Sequence, residues 1–128
     1  MINLEQRHSK WMGFAFSQAQ KAYDSNEVPV GAVVVYNDKI IGRGHNQKEQ
    51  LNDPTAHAEI IAITAATNTI NDWRLIDCEL YVTKEPCPMC AGATIIGRIK
   101  EVCYAFEDPK MGAMGGATSL HELPKSNH

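Results

Sequence analysis

Two short clusters of metal-binding side chains constrain this chain more than anything else in it: His57-Ala58-Glu59 and Pro86-Cys87-Pro88-Met89-Cys90. A helix-like and a strand-like stretch separate them, so a fold that joins them must bring the starts of two helices together. Each cluster alone says little. A histidine near a helix start is usually a satisfied polar residue, and a lone Cys-x-x-Cys serves either zinc or redox chemistry. Taken together they converge. Two cysteines three apart can reach one metal from the first turn of a helix, and a histidine from a second helix adds a third ligand. Thiolate and imidazole are the donors that tetrahedral zinc favours, and three ligands leave one position open, as a catalytic site requires. Helix N-termini favour the thiolates, and zinc lowers the pKa of a coordinated water from about 15.7 toward roughly 7. Glu59, two residues past His57, falls near the metal on a different bearing, which suits a proton carrier and not a ligand. The expectation is one Zn2+ per chain on His57, Cys87 and Cys90.

The remaining cysteines and histidines have no such partners. Cys78 and Cys103 read as inert packing thiols, and His8, His121 and His128 as surface residues. His45 as a fourth ligand would close the site and leave Glu59 without a task. With 128 residues, 44% of them apolar and 21% charged, residues 1–128 suffice for a single domain whose core needs no disulfides. The net charge of −3 offers no overall basic footprint for nucleic acid. No stretch approaches the length of an apolar membrane span, and MINLEQRHSKW lacks the apolar run of a secretory signal. A cytoplasmic protein with reduced thiols is expected.

Leu4, Trp11, Met12, Ala15, Ala19, Ala22 and Tyr23 fall near a 3.6-residue stripe, which predicts a helix over about 3–24. PVGAVVVYN reads as a buried strand, Asn37-Asp38 as a turn and Lys39 to Gly44 as its hairpin partner. A polar loop follows from His45 to Asp53. Asp53-Pro54 looks like a helix cap and first helical residue, with the helix over 56–67. Glu79 to Thr83 predicts a third strand, Cys87-Pro88 to about Gly97 a helix, and Glu101 to Phe106 a fourth strand. The glycine-rich end reads as a short irregular tail. Alternation of helices and strands after the hairpin predicts a layered α/β domain, drawn as a three-layer α/β/α sandwich around a mixed sheet.

His-x-Glu followed by Pro-Cys-x-x-Cys is the signature of the zinc nucleobase deaminases. Beyond it, the chain resembles the bacterial tRNA-specific adenosine deaminases, a cytidine-deaminase-like family. The resembling segments are EVPVGAVVV (Glu27 to Val35), His45-Asn46, DPTAHAEI (Asp53 to Ile60), WRLIDCELYVT (Trp73 to Thr83), EPCPMCAGA (Glu85 to Ala93) and RIKEVCYAFEDPKMGA (Arg98 to Ala113). The resemblance implies hydrolytic deamination of adenosine to inosine at the wobble position of a tRNA anticodon, in a homodimer. It implies zinc on His57, Cys87 and Cys90, with Glu59 as shuttle. It also implies that Asn46 bonds the base edge, with an amide that both donates and accepts. The Ala58 N–H would make a second base contact, and Val30 would lie against the ring. Asp108 and Lys110 would approach the nucleotide backbone, the carboxylate at a ribose 2′-OH and the lysine at a phosphate. The chain departs from the family pattern at Gly115-Gly116-Ala117-Thr118, and family members usually carry a further helix beyond the position of His128. Three other readings stand beside this one. They are a deaminase of a free base or nucleoside of the guanine or cytosine type, a Cys-x-x-Cys thiol–disulfide oxidoreductase, and a non-catalytic zinc module that binds RNA.

Overall fold

The valine run and its hairpin partner set the sheet. In a computed structural model, described over residues 4–114, the elements run α1 (Leu4–Asp24), β1 (Gly31–Tyr36), β2 (Lys39–His45), α2 (Lys48–Leu51), α3 (Ala58–Ile70), β3 (Glu79–Lys84), α4 (Pro88–Ile96) and β4 (Glu101–Phe106). Asn37 and Asp38 both adopt positive φ, 52° and 59°. That is the requirement of the two-residue turn whose twist matches a right-handed hairpin. The four strands lie in the order β2-β1-β3-β4. β1 is antiparallel to β2 and β3, while β3 and β4 are parallel and joined through α4.

β1 is apolar on both faces because both faces are covered. Ala32 and Val34 point to α3, where Ala58, Ala62 and Ala66 meet Leu80 and Val82. Val33 and Val35 point the other way, to Trp11 and Ala15 of α1 and to Tyr81. The result is the α/β/α sandwich with a mixed sheet. The α3 layer is thin because small residues face each other across it. A Cβ built on Gly42 would strike the carbonyl oxygen of Ala62, and one on Gly44 would strike that of Ala58. Two glycines on one face of β2 thus let the first turns of α3 rest directly on the strand, and this sets where His57 and Glu59 stand.

Four expectations need correction. Asp53-Pro54 does not start the helix: the Asp53 carboxylate accepts bonds from the Thr55 N–H at 2.8 Å and hydroxyl at 2.7 Å. This makes a local turn, the alternative that Asp offers to a cap. α3 begins at Ala58, with His57 as the extended N-cap residue. The polar loop contains a short helix, α2, whose Glu49 and Gln50 N–H groups donate to the buried Glu27 carboxylate at 3.1 and 2.7 Å. Four residues carry too little periodicity to announce a helix, and its cap comes from a residue more than twenty positions away. His8 is half-buried, not a free surface residue, with Nδ1 2.7 Å from the Tyr81 hydroxyl. Cys78 is buried as a packing thiol; Cys103, half-buried, packs against the α1 side of the core but also stands beside the polar His8 and Glu101, which the packing reading did not include. The tail past Met114, with Gly115 to Thr118, His121 and His128, lies outside the described residues. Among the described residues no helix is long and apolar enough to cross a membrane.

Candidate active site

His57 and Cys87 are the N-cap residues of α3 and α4, and neither side chain caps its own helix. Both are free to meet each other instead. His57 Nδ1 lies 3.6 Å from Cys87 Sγ and 3.5 Å from Cys90 Sγ. Donor atoms of the three residues all fall within 4.8 Å of one another. Tetrahedral ligation with Zn–S near 2.3 Å and Zn–N near 2.05 Å puts neighbouring sulfur and nitrogen about 3.5 Å apart. The spacing and the donor set therefore fit a zinc ion. His45 is not among the clustered ligands of the described residues.

The electrostatics follow from the helix starts. The Cys90 side chain and the N–H groups of Cys90 and Met89 hold the Cys87 thiol down to about 5, helped by His57. Cys90 moves the other way, because of its bond with Cys87 and its burial. Glu59 is only 4% exposed. Burial raises its pKa, against the pull of its own backbone N–H and of His57. A carboxyl shifted upward is suited to taking and returning a proton near neutral pH.

His57, Glu59 and Cys87 line a cavity of about 570 Å³, a volume that suits a small-molecule or nucleobase site. Val30, Asn46, Ala58 and Asp108 share it with His57, Glu59 and Cys87. Asn46 is buried. Its N–H bonds the Val30 carbonyl at 3.1 Å, and its side-chain oxygen accepts from the Lys48 N–H at 3.3 Å. The backbone of Asn46 is thus tied to the segment before β1, and its side-chain oxygen to the start of α2. Asp108 and Lys110 part company. Asp108 reaches the cavity, with Oδ1 accepting from the N–H groups of Lys110 and Met111 at 3.1 and 3.2 Å and Oδ2 paired with Lys84 Nζ at 3.2 Å. Lys110 does not line the cavity; its N–H is spent on closing the turn around Asp108.

Sequence reasoning missed Lys48 and Lys84 at the cavity rim, and it missed Glu85. The Glu85 carboxylate is buried and accepts from the N–H groups of Asp108 at 3.0 Å and Met114 at 2.9 Å. A Cβ on Gly112 would collide with it. It anchors the loop that carries Asp108 and Met111. The only local signal was an acid directly before the Pro-Cys motif.

Comparison with known proteins agrees with this geometry. The family model of the MafB19-like deaminases matches residues 6–128. The tRNA-specific adenosine deaminase of Bacillus subtilis (strain 168) is 43% identical over 118 residues, 92% of this chain and 73% of the relative. That of Aquifex aeolicus is 43% identical over 89% of this chain and 76% of its own length. A solved structure from work on A-to-I editing by tRNA:A34 deaminases superposes with a TM-score of 0.90 at 40% identity, over 94% of this chain and 92% of the other. The chain belongs to the tRNA-specific adenosine deaminase family. A second solved structure, guanine deaminase from B. subtilis, superposes with a TM-score of 0.78 at 36% identity, over 96% of this chain and 79% of the other. Within a tRNA-specific adenosine deaminase fold, the Cys-x-x-Cys stands beside a histidine and a buried acid. The relatives and the superposed structures are deaminases, which sets the thiol–disulfide oxidoreductase reading aside.

Proposed function

We propose that this chain deaminates adenosine to inosine at the wobble position of tRNA anticodons, with zinc on His57, Cys87 and Cys90. The observation that carries the reading is the His-Cys-Cys cluster, 3.5–3.6 Å on its nitrogen–sulfur edges, beside a buried Glu59 in an open cavity. Similarity to relatives named for tRNA adenosine supports the substrate. Zinc bound there supplies a Lewis acid and a water acidic enough to lose a proton near neutral pH. Glu59 takes the proton of the attacking water and passes it to N1 of the adenine, then carries a second proton to the leaving amine. A C6–O bond forms, the C6–N bond breaks and ammonia departs. The target base must leave the stack to reach this floor. Val30 packs on its face, while the Asn46 amide and the Ala58 N–H bond its edge. Asp108 stands at the rim for a ribose hydroxyl, and Lys110 lies farther out, toward phosphate.

The guanine deaminase similarity keeps one second reading alive, a free-base substrate with the same chemistry. One experiment separates them. The holoenzyme is given an anticodon stem-loop with adenosine at the wobble position and, separately, free guanine, and the products are read by mass. Inosine in the stem-loop supports the first reading; xanthine from guanine with no inosine overturns it. Glu59→Gln should keep its zinc and lose about 10²–10⁴ in turnover. A non-catalytic RNA-binding module would have no turnover to lose.

The reading includes a homodimer. Met89 and Ile96 of α4 are 37% and 62% exposed, seven residues apart on the helix that carries Cys90, a spacing that puts them on one face. A second copy would cover them. A monomer by sedimentation at working concentrations counts against this part of the reading.

A further inference from the structure

We infer that His8, Glu101 and Cys103 form a second divalent-cation site, for zinc or another borderline transition metal, on the opposite face of the sheet from His57, Cys87 and Cys90. The three come from α1 and from alternate positions of β4, and one donor atom of each lies within 4.8 Å of the others. His8 Nε2 is 3.6 Å from Glu101 Oε1, and Cys103 Sγ is 3.6 Å from the same oxygen. Cys103 Sγ also lies against the His8 ring, 3.7 Å from Nδ1. The two Glu101 separations, to Nε2 and to Sγ, are close to the edges of a tetrahedral zinc site. The donors are one nitrogen, one oxygen and one sulfur, a mixture that suits zinc, cobalt or nickel better than magnesium or calcium.

A second contact orients the ring. His8 Nδ1 sits 2.7 Å from the Tyr81 hydroxyl, and Cys103 pairs with Tyr81 across the β3–β4 ladder. If Nδ1–H donates to that oxygen, Nε2 keeps its lone pair toward Glu101. This is how metal-binding histidines are usually held from behind. Glu79, the other acid that acts on Cys103, is already paired with Arg7. The His8 and Glu101 side chains are 27% and 43% exposed, which leaves an entry path and room for water as a further ligand.

A hydrogen-bonded polar cluster without metal is the competing account. A cation bound there would displace the thiol proton and offset the burial of a thiolate beside a carboxylate. Occupancy would tie the start of α1 to the edge strand β4, so the site acts on stability and stands apart from the deamination chemistry.

The test takes holoenzyme carrying one zinc per chain, titrates it with Co2+ and reads the sulfur-to-cobalt charge-transfer absorption together with the zinc and cobalt content after desalting, so that cobalt bound while the first zinc is retained counts for the second site. The expected result is one further equivalent per chain with a thiolate band. Both should be lost in Cys103→Ser and in His8→Gln, while deaminase activity remains in each. Zn2+ should raise the melting temperature of the wild-type holoenzyme and leave that of His8→Gln unmoved. Absence of a thiolate band, or a band that survives in Cys103→Ser, overturns the proposal. Because the two variants remove different donors, a folding defect in one leaves the other to decide.

Discussion

At the scale of single residues, the site is held by carboxylates that do no chemistry. Glu27 caps α2, Glu85 gathers the loop from Asp108 to Met114, and Asp108 closes the turn that ends at Met111. The Met111 N–H, with Lys84 and the Lys110 N–H, holds the Asp108 carboxyl below the usual carboxylate range. A folded-state pKa lowered in this way adds stability that is fully present above the unfolded value, about 3.9. That stability is lost as pH falls through the lower folded value. Asp108→Asn should therefore weaken the protein against urea at pH 7. The gap between variant and wild type should close once the pH is taken below the carboxylate range. A gap that persists in acid would mean that the side chain acts by packing and not by charge. His57, Glu59, Cys87 and Cys90 were legible as a set because the His-x-Glu and Cys-x-x-Cys spacings are local, and the structure brings His57, Cys87 and Cys90 together. Glu85 and Lys48 were not, since a buried acid or a rim lysine has no partner within its own segment.

At the scale of elements, the α3–β2 contact decides where half of the site stands. Gly44→Ala would place a methyl on the Ala58 carbonyl, one residue after His57. Overpacking of this kind costs about 1–3 kcal/mol, seen as a lower melting temperature. Turnover should fall further than stability alone explains, because the start of α3 is displaced. Gly13→Ala serves as the contrast. Gly13 lies in the exposed interior of α1 with nothing near an added Cβ. The same change there should raise stability by about 0.5–1 kcal/mol through helix propensity alone. The sequence read β1, β4 and the hairpin turn well, since alternation and positive-φ turn residues are local signals. It misread Asp53-Pro54 because Asp serves equally as a helix cap or a turn acceptor, and only the packing of α3 against β2 selects between them.

At the scale of the whole molecule, the cluster of two thiols, an imidazole and a buried acid sits between two helix starts at one end of the sheet. A cation that binds this arrangement only when folded stabilises the fold by mass action. Removal of the metal with a chelator should lower the melting temperature and abolish turnover. Zn2+ should restore both, whereas Mg2+, which prefers oxygen ligands, should restore neither. Full activity after exhaustive removal would sink the zinc assignment.

By itself the sequence determined the layered α/β pattern and the two motifs, which rest on periodicity and spacing written along the chain, while the family was implied by resemblance of segments between Glu27 and Ala113. Only the tertiary structure decided that Asp108 enters the cavity while Lys110 does not, and that His8 and Cys103, 95 positions apart, stand side by side. Such contacts depend on which face of α1 meets which strand, and that choice is made by the packing of the whole sheet.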